Sequence, residues 1–232
     1  GNYRGESDNL FLRGDNGFYR DLSTAWKLPE LTDPLVAFGS KALDFDRNGW
    51  LDLAVTNGHI FDMTWMNQGY KMPPHLLMSQ GNAFAKVNAS QMSEYWSGNY
   101  LGRAMAVLDF DRNLQPDLII GHLDQPAALL ANQTQSNAAH VMLELIGVTS
   151  ERDAIGTRVD VFDGRQSAFQ VTTGGDGYLC CDENFIELCL PTEAESLTVT
   201  IRWSSGSVQK HLTVEPGKRY LAVEGQTTLT PR

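Results

Sequence analysis

Alternating apolar and polar positions dominate the second half of the chain. In residues 196–203, SLTVTIRW, leucine, valine, isoleucine and tryptophan occupy every other position, and threonine and arginine lie between them. A period of two places all the apolar side chains on one face of an extended strand, so the pattern predicts half-buried β-strands. The segments with this pattern or a strand-rich composition are 141–146, 157–162, 196–203 and 217–225.

Turn signals separate these predicted strands. Asp163-Gly164, Gly174-Gly175 and Ser205-Gly206 are dipeptides that favour tight turns. Several short strands joined by such turns are typical of a sandwich of two sheets. We therefore predict an antiparallel β-sandwich over residues 138–226.

The first half of the chain carries an internal repeat. Residues 10–20, LFLRGDNGFYR, align with residues 76–86, LLMSQGNAFAK, and a third, partial copy begins at 128–134. Each copy predicts two short strands around a Gly/Asn turn, then an insertion, an aspartate-rich loop and an apolar strand. Short strands in a repeat of this size favour propeller blades over helical solenoids.

The apolar strands that follow the aspartate-rich loops are residues 51–58 and 116–122. Helical periodicity is scarce, and residues 89–96 are predicted to form a turn or two at most. The repeat is lost after the polar stretch 132–139. The sequence thus predicts an all-β protein, with a partial β-propeller of about two blades over residues 1–135 followed by the sandwich.

Charge and composition narrow the classes of partner. The 232 residues carry a formal net charge of −10 with a pI near 4.9, which argues against nucleic acid or an anionic membrane surface as a partner. The sequence contains no apolar run long enough to predict a membrane-spanning segment. The three cysteines, Cys180, Cys181 and Cys189, are too few for a disulfide framework and are expected to be buried or half-buried thiols. The alternative is a disulfide between Cys189 and either of the other two across a hairpin.

The aspartate-rich loop LDFDRNGWLD, residues 43–52, has the donors of a cation site. Asp44, Asp46 and Asn48 converge if the chain curls, Gly49 permits the tight turn, and Asp52 returns to the same centre. With the carbonyl of Trp50 and a water, these groups supply the roughly six to eight oxygens that Ca²⁺ accepts. The predicted ligands are Asp44, Asp46, Asn48, Trp50 and Asp52. The alternative is a solvated hairpin turn without metal.

The same pattern returns in LDFDRNLQPD, residues 108–117. The equivalent calcium ligands are Asp109, Asp111, Asn113, Gln115 and Asp117. Leu114 replaces the glycine, and it is strained if the turn needs a positive φ. A degenerate, metal-free loop is the alternative for this copy.

These segments resemble a known family. DFDRNGWLDLAV (44–55) and DFDRNLQPDLII (109–120) are similar to FG-GAP (VCBS-type) repeats, the calcium-loop blades of integrin-α-like propellers. RDAIGTRVDV (152–161), GYL (177–179) and IRWSSGSVQ (201–209) resemble the ASPIC/UnbV domain of cartilage-acidic-protein-like proteins. The resemblance implies Ca²⁺ in both loops and a location that is extracellular, at the cell surface or periplasmic. Propellers of this family have roughly seven blades, so we expect the C-terminal part of a longer chain.

The sequence contains no recognisable catalytic motif. None of the five histidines forms an HxH or HxxxH pair, and no nucleophile elbow or phosphate-binding loop occurs. His59 and His122 each follow a glycine at the end of a predicted blade strand. We therefore expect a calcium-stabilised binding or adhesion module that recognises protein or carbohydrate and is not an enzyme. The alternatives are an enzyme component of UnbV type and a structural surface-display segment.

Overall fold

The structure is a computed structural model that describes residues 6–14, 16–67 and 69–232. Its regular secondary structure is mostly β-strand, which confirms the predicted all-β class. The strands of the repeat region, defined as residues 6–135, are β1 (Phe11–Arg13), β2 (Tyr19–Asp21), β3 (Ala37–Leu43), β4 (Asp52–Asn57), β5 (His75–Ser79), β6 (Phe84–Lys86), β7 (Gly102–Leu108), β8 (Asp117–His122) and β9 (Ala128–Leu130).

The aspartate-rich loops sit at the first hairpin of each larger sheet in the repeat region. One sheet has the order β3-β4-β5-β6 and the other β7-β8-β9, with antiparallel neighbours throughout. Strands β1 and β2 form a separate two-stranded sheet. The sheets therefore do not coincide with the copies of the sequence repeat. The hairpin β5–β6 begins the second copy in sequence, but it pairs with β4 in the sheet that contains the first aspartate loop.

One prediction for the repeat region stays open, and one short element was not predicted. In the part of the chain that the structure describes, its sheets do not close into a ring, and the propeller stays a prediction. A short helix, α1 (Leu28–Thr32), also escaped the sequence analysis, since its five residues are too few to show helical periodicity. Residues 89–96 form two 3₁₀ turns, Ala89–Gln91 and Glu94–Ser97.

The sandwich region, defined as residues 138–232, consists of two four-stranded sheets. Its strands are β10 (Ala139–Ile146), β11 (Arg158–Phe162), β12 (Ser167–Val171), β13 (Ile186–Leu190), β14 (Leu197–Arg202), β15 (Val208–Val214), β16 (Lys218–Val223) and β17 (Thr230–Pro231). One sheet has the order β13-β10-β16-β17 and the other β12-β11-β14-β15. The alternating apolar positions of β10, β11, β13 and β14 meet between the sheets in one continuous core.

The predicted antiparallel arrangement is wrong for one pair of strands. β10 runs parallel to β16, with Val141 opposite Lys218 and Ile146 opposite Val223. The alternation along a strand fixes which face is buried but not the direction of its neighbour. The remaining pairs in the sandwich region are antiparallel.

The expectation of buried or half-buried thiols holds for two of the three cysteines. Cys189 is partly buried, and burial raises the pKa of its thiol to about 12. Cys180 is half-buried and donates to the carbonyl of Met105 at 3.1 Å. Cys181, by contrast, is exposed, so the expectation of shielded thiols is wrong for this residue.

Candidate metal centre

The first aspartate loop joins β3 to β4 and brings three carboxylates together. One oxygen from each of Asp44, Asp46 and Asp52 lies within 4.8 Å of the others. Asp52 is fully buried at the start of β4, where it accepts hydrogen bonds from the amides of Phe45 at 3.0 Å and Ser79 at 2.7 Å. This carboxylate therefore fixes the loop to the neighbouring strand β5 and faces the same centre as the other two.

The tight curl of this loop depends on two residues with positive φ. Arg47 has φ 60° and Gly49 has φ 91°. A side chain on Gly49 would be strained, and its Cβ would lie 2.9 Å from Cγ of Pro191. Asp44 accepts from the amides of Asn48 and Gly49 at 3.0 and 2.8 Å, which locks the curl in place. Glycine is thus required here both for its conformation and for the approach of the sandwich region.

The second loop, between β7 and β8, repeats this geometry. Oxygens of Asp109, Asp111 and Asp117 lie within 4.8 Å of one another. Asp117 is fully buried and accepts from the amides of Phe110 at 2.9 Å and Asn132 at 2.7 Å. Leu114 has φ 67°, so the left-handed position that glycine fills in the first loop is taken by a side chain that disfavours it.

The amide side chains of the two loops lie beside the carboxylates. Asn48 donates to Asp46 Oδ2, and Asn113 donates to Asp111 Oδ2, each at 3.1 Å. Their carbonyl oxygens accept at 2.8 Å from the amides two positions on, at Trp50 and Gln115. The predicted ligands Asn48, Trp50, Asn113 and Gln115 thus all lie in the loops. The side-chain oxygens of the two asparagines accept hydrogen bonds from backbone amides.

Burial makes the charged carboxylates costly. It raises the pKa of Asp44 and of Asp109 above the ordinary range and that of Asp52 to about 6, although backbone hydrogen bonds oppose the shift in each case. Neighbouring carboxylates raise all three further. A bound cation would offset both the burial and the mutual repulsion.

The donor set fits calcium. Each loop offers only oxygen, the ligand type that Ca²⁺ prefers, and three acids would supply the charge to hold it. In the second loop, Oδ2 of Asp109 is buried and has no hydrogen-bond partner, and a guanidinium nitrogen of Arg219 lies 3.5 Å from it. A polar atom left in this state is costly unless something else binds it.

The loops lie at the junction between the two regions. Arg47 is buried, and its guanidinium donates to Glu187 Oε1 at 2.8 Å and to the carbonyl of Leu114 at 2.5 Å. Arg219 of β16 pairs with Glu144, Glu183 and Asp109. Lys41 pairs with Asp182 at 2.6 Å. These pairs could not be predicted from the sequence, because no local pattern links residues so far apart.

The two strand-end histidines each hydrogen-bond to nearby groups. His59 is buried, and its Nδ1 accepts from the amide of Phe61 at 3.2 Å. His122 contacts the carbonyl of Pro126 at 3.0 Å and the hydroxyl of Tyr95 at 2.8 Å. The carbonyl can only accept, so Nδ1 of His122 donates to it. Both histidines thus hold loops at the ends of β4 and β8.

The sandwich region can be compared with known families. Residues 147–229 match the family model described as ASPIC and UnbV. This match confirms the resemblance of this part of the chain to the ASPIC/UnbV domain. The ASPIC/UnbV segment begins directly after β10 and contains β11 to β16. No curated protein matches the chain in sequence.

One acid, Glu224, binds the backbone at the start of the ASPIC/UnbV segment. Glu224 accepts from three successive amides, those of Val148, Thr149 and Ser150, at 2.8, 2.7 and 2.6 Å. Its other oxygen accepts from three serine hydroxyls, those of Ser150, Ser205 and Ser207. Burial would raise the pKa of Glu224, but these hydrogen bonds outweigh it and hold the pKa well below the ordinary range.

Proposed function

We propose that this chain is a calcium-stabilised extracytoplasmic module for binding or adhesion, whose partner is a protein or a carbohydrate. The observation that carries the proposal is the pair of carboxylate clusters, Asp44 with Asp46 and Asp52, and Asp109 with Asp111 and Asp117. Two partly buried acidic clusters at equivalent hairpins favour FG-GAP (VCBS-type) calcium loops, as in cartilage-acidic-protein-like proteins that carry an ASPIC/UnbV domain.

The cation would serve as a structural support in this proposal. Asp52 already accepts from an amide of the next strand, at Ser79 of β5, and Asp117 accepts from the amide of Asn132, just after β9, so a bound ion would connect loop and sheet. No helix pair that opens on binding adjoins either loop in the described residues, and a switching role needs such a bistable element. Extracellular calcium modules bind at about 10⁻⁴ to 10⁻³ M, an affinity that suffices outside the cytoplasm.

Exposed apolar side chains mark the surface that we assign to the partner. Phe61 and Trp65 follow β4, Leu123 follows β8, and they are 66%, 79% and 60% exposed. The ion pair between Lys71 and Asp124, at 2.5 Å, brings the two loops side by side. Exposed apolar side chains on neighbouring loops are one mark of an interaction site, and aromatic rings suit either a sugar ring or a protein side chain.

Thermal unfolding measured in calcium and in chelator tests whether the loops bind calcium. At a calcium concentration ten times the dissociation constant, one site adds about 1.4 kcal/mol to the free energy of unfolding. Calcium should therefore raise the melting temperature, and Asp46→Ala should remove most of the gain that the first loop provides. Asp153→Ala, at an exposed aspartate outside both loops, is the control and should retain it. Identical melting curves in chelator and in millimolar calcium would refute calcium binding.

A glycan array and a hydrolase screen on the same calcium-loaded protein test the rest. We expect ligand binding without turnover, and Trp65→Ala should weaken it, whereas Phe162→Ala, at an exposed ring on the sandwich, should not. Turnover of any substrate in the hydrolase screen would favour the enzyme alternative over a binding module.

A further inference from the structure

The two loops differ in the positive charge that the protein itself places beside them. In the second loop, a guanidinium nitrogen of Arg219 lies 3.5 Å from Asp109 Oδ2, the buried oxygen that lacks a hydrogen-bond partner. Arg219 belongs to β16, and its side chain is only 14% exposed. The sandwich region thus holds a cation against the second carboxylate cluster.

The first loop has no equivalent. Its own arginine, Arg47, turns away from the carboxylates, towards Glu187 and the carbonyl of Leu114. Among the described residues, no ion pair within 4.0 Å connects a basic side chain to Asp44, Asp46 or Asp52. The first cluster is therefore left for an external cation, and the second is partly neutralised from within.

We propose that Arg219 competes with the cation at the second loop, so that this loop binds Ca²⁺ more weakly than the first. The proposal rests on calcium binding as the proposed function. A guanidinium beside Asp109 stabilises the negative charge of that carboxylate and would repel a divalent ion bound to the same cluster. By reciprocity, an ion bound at the second loop would weaken the contact between Arg219 and Asp109.

The other partners of Arg219 explain why the competition is incomplete. Arg219 Nε lies 2.7 Å from Glu144, and its second terminal nitrogen lies 2.5 Å from Glu183. The contact with Asp109 is the longest of the three, so the guanidinium stays paired when Asp109 turns to an ion. Glu183 is also fixed to the loop, since its carboxylate accepts from the amide of Asp109 at 2.9 Å. We therefore expect weakened binding at the second loop, not its abolition.

Calorimetric titration of calcium into variants of the full chain tests this competition. Asp46→Ala disables the first loop, so the heat that remains reports the second loop. In that background, Arg219→Gln should tighten calcium binding by at least about tenfold. This factor is the low end of the effect that one neighbouring positive charge has on the proton affinity of a carboxylate. Arg219→Lys keeps the charge and should change the affinity much less. Arg232→Gln is the matched control, because Arg232 also lies near Glu144, at 3.9 Å, but has no contact with Asp109.

The possible outcomes separate this inference from the proposed function. Tighter binding in Arg219→Gln but not in Arg232→Gln supports the competition. An unchanged or weaker affinity in Arg219→Gln, with a first loop that binds calcium in the wild type, overturns the competition alone. Absence of calcium binding in every variant overturns both proposals. If Arg219→Gln does not fold, Arg219→Gln/Glu144→Gln removes the cation together with an acid that it neutralises, and the same tightening is expected.

Discussion

The sandwich region and the repeat region are held together by different kinds of interaction. The sandwich encloses one continuous apolar core that draws on both sheets, whereas the described residues of the repeat region form two smaller apolar clusters. The repeat region instead buries many polar side chains. They include Lys41, Arg47, Asp52, Thr56, Asn57, His59, His75, Ser79, Asp109 and Asp117.

This difference indicates where the stability of each region comes from. An apolar core contributes through burial alone, in the absence of any ligand. Buried polar and charged groups stabilise a fold only while each keeps its partner. The sandwich should therefore tolerate the loss of calcium or of a contact between regions, and the repeat region should not.

The largest expected effect comes from breaking the buried pair of Arg47 and Glu187. Burial raises the pKa of Glu187, and Arg47 opposes that shift. Glu187→Ala leaves the guanidinium without its acid and should lower the free energy of unfolding by about 3–5 kcal/mol. Urea denaturation measures this loss. The double variant Arg47→Met/Glu187→Met should recover most of it, and an equal loss in the double variant would show that packing, not charge, holds the junction.

The next effect is expected in the sandwich core. Ile201 is fully buried between the sheets, so Ile201→Ala should destabilise the protein by about 2–5 kcal/mol. The loss should be the same in calcium and in chelator, because no charge or ion is involved. Thr200→Ala, one position along the same strand on the outer face, is the control and should change stability by less than about 0.5 kcal/mol. A calcium-dependent loss at Ile201 would contradict the independence of the sandwich.

A smaller effect, dependent on pH, is expected from Glu224. Its pKa lies below the unfolded value, so the stability that it contributes is present above about pH 5 and is lost as the pH falls. Glu224→Gln should therefore be less stable than the wild type near neutral pH, and the difference should shrink in acid. Melting temperatures measured from neutral to acidic pH check this, with Glu195→Gln, at an exposed acid, as the control. A gap between the two proteins that stays constant with pH would contradict it.

The smallest effect separates the two loops. Leu114→Gly relieves a left-handed leucine that costs about 1–2 kcal/mol, but glycine returns part of that gain as chain entropy. The net stabilisation should be below about 1 kcal/mol. Gly49→Ala is the matched opposite and should destabilise, since it introduces strain and a collision with Pro191. Loss of stability in Leu114→Gly would mean that the packing of the leucine outweighs its strain.

The sequence predicted the local features well. Period-two alternation located β10, β11 and β14, and the spacing of the aspartates predicted which carboxylates would meet. The left-handed backbone at Leu114 also followed from its alignment with Gly49.

The sequence could not predict the partners that residues acquire across the fold. Arg47 and Arg112 stand in the same DFDRN context, yet Arg47 is buried against Glu187 and Arg112 is exposed. The first loop adjoins the sandwich region near Pro191, and only the folded chain reveals that neighbour. The sequence also could not predict that β5–β6 joins the first sheet, since a hairpin pattern does not specify which sheet edge the hairpin pairs with.

The parallel pair in the sandwich has a consequence for the order in which the chain folds during synthesis. β10 pairs with β13 on one side and with β16 on the other, and β16 emerges from the ribosome long after β10. Parallel pairs between distant segments close slowly, because a long intervening loop must be ordered first. Until β16 arrives, Val141 and Leu143 have an open strand edge beside them. Nascent chains that stall before Lys218 would therefore expose an aggregation-prone edge, and a chaperone that covers it would act at this stage.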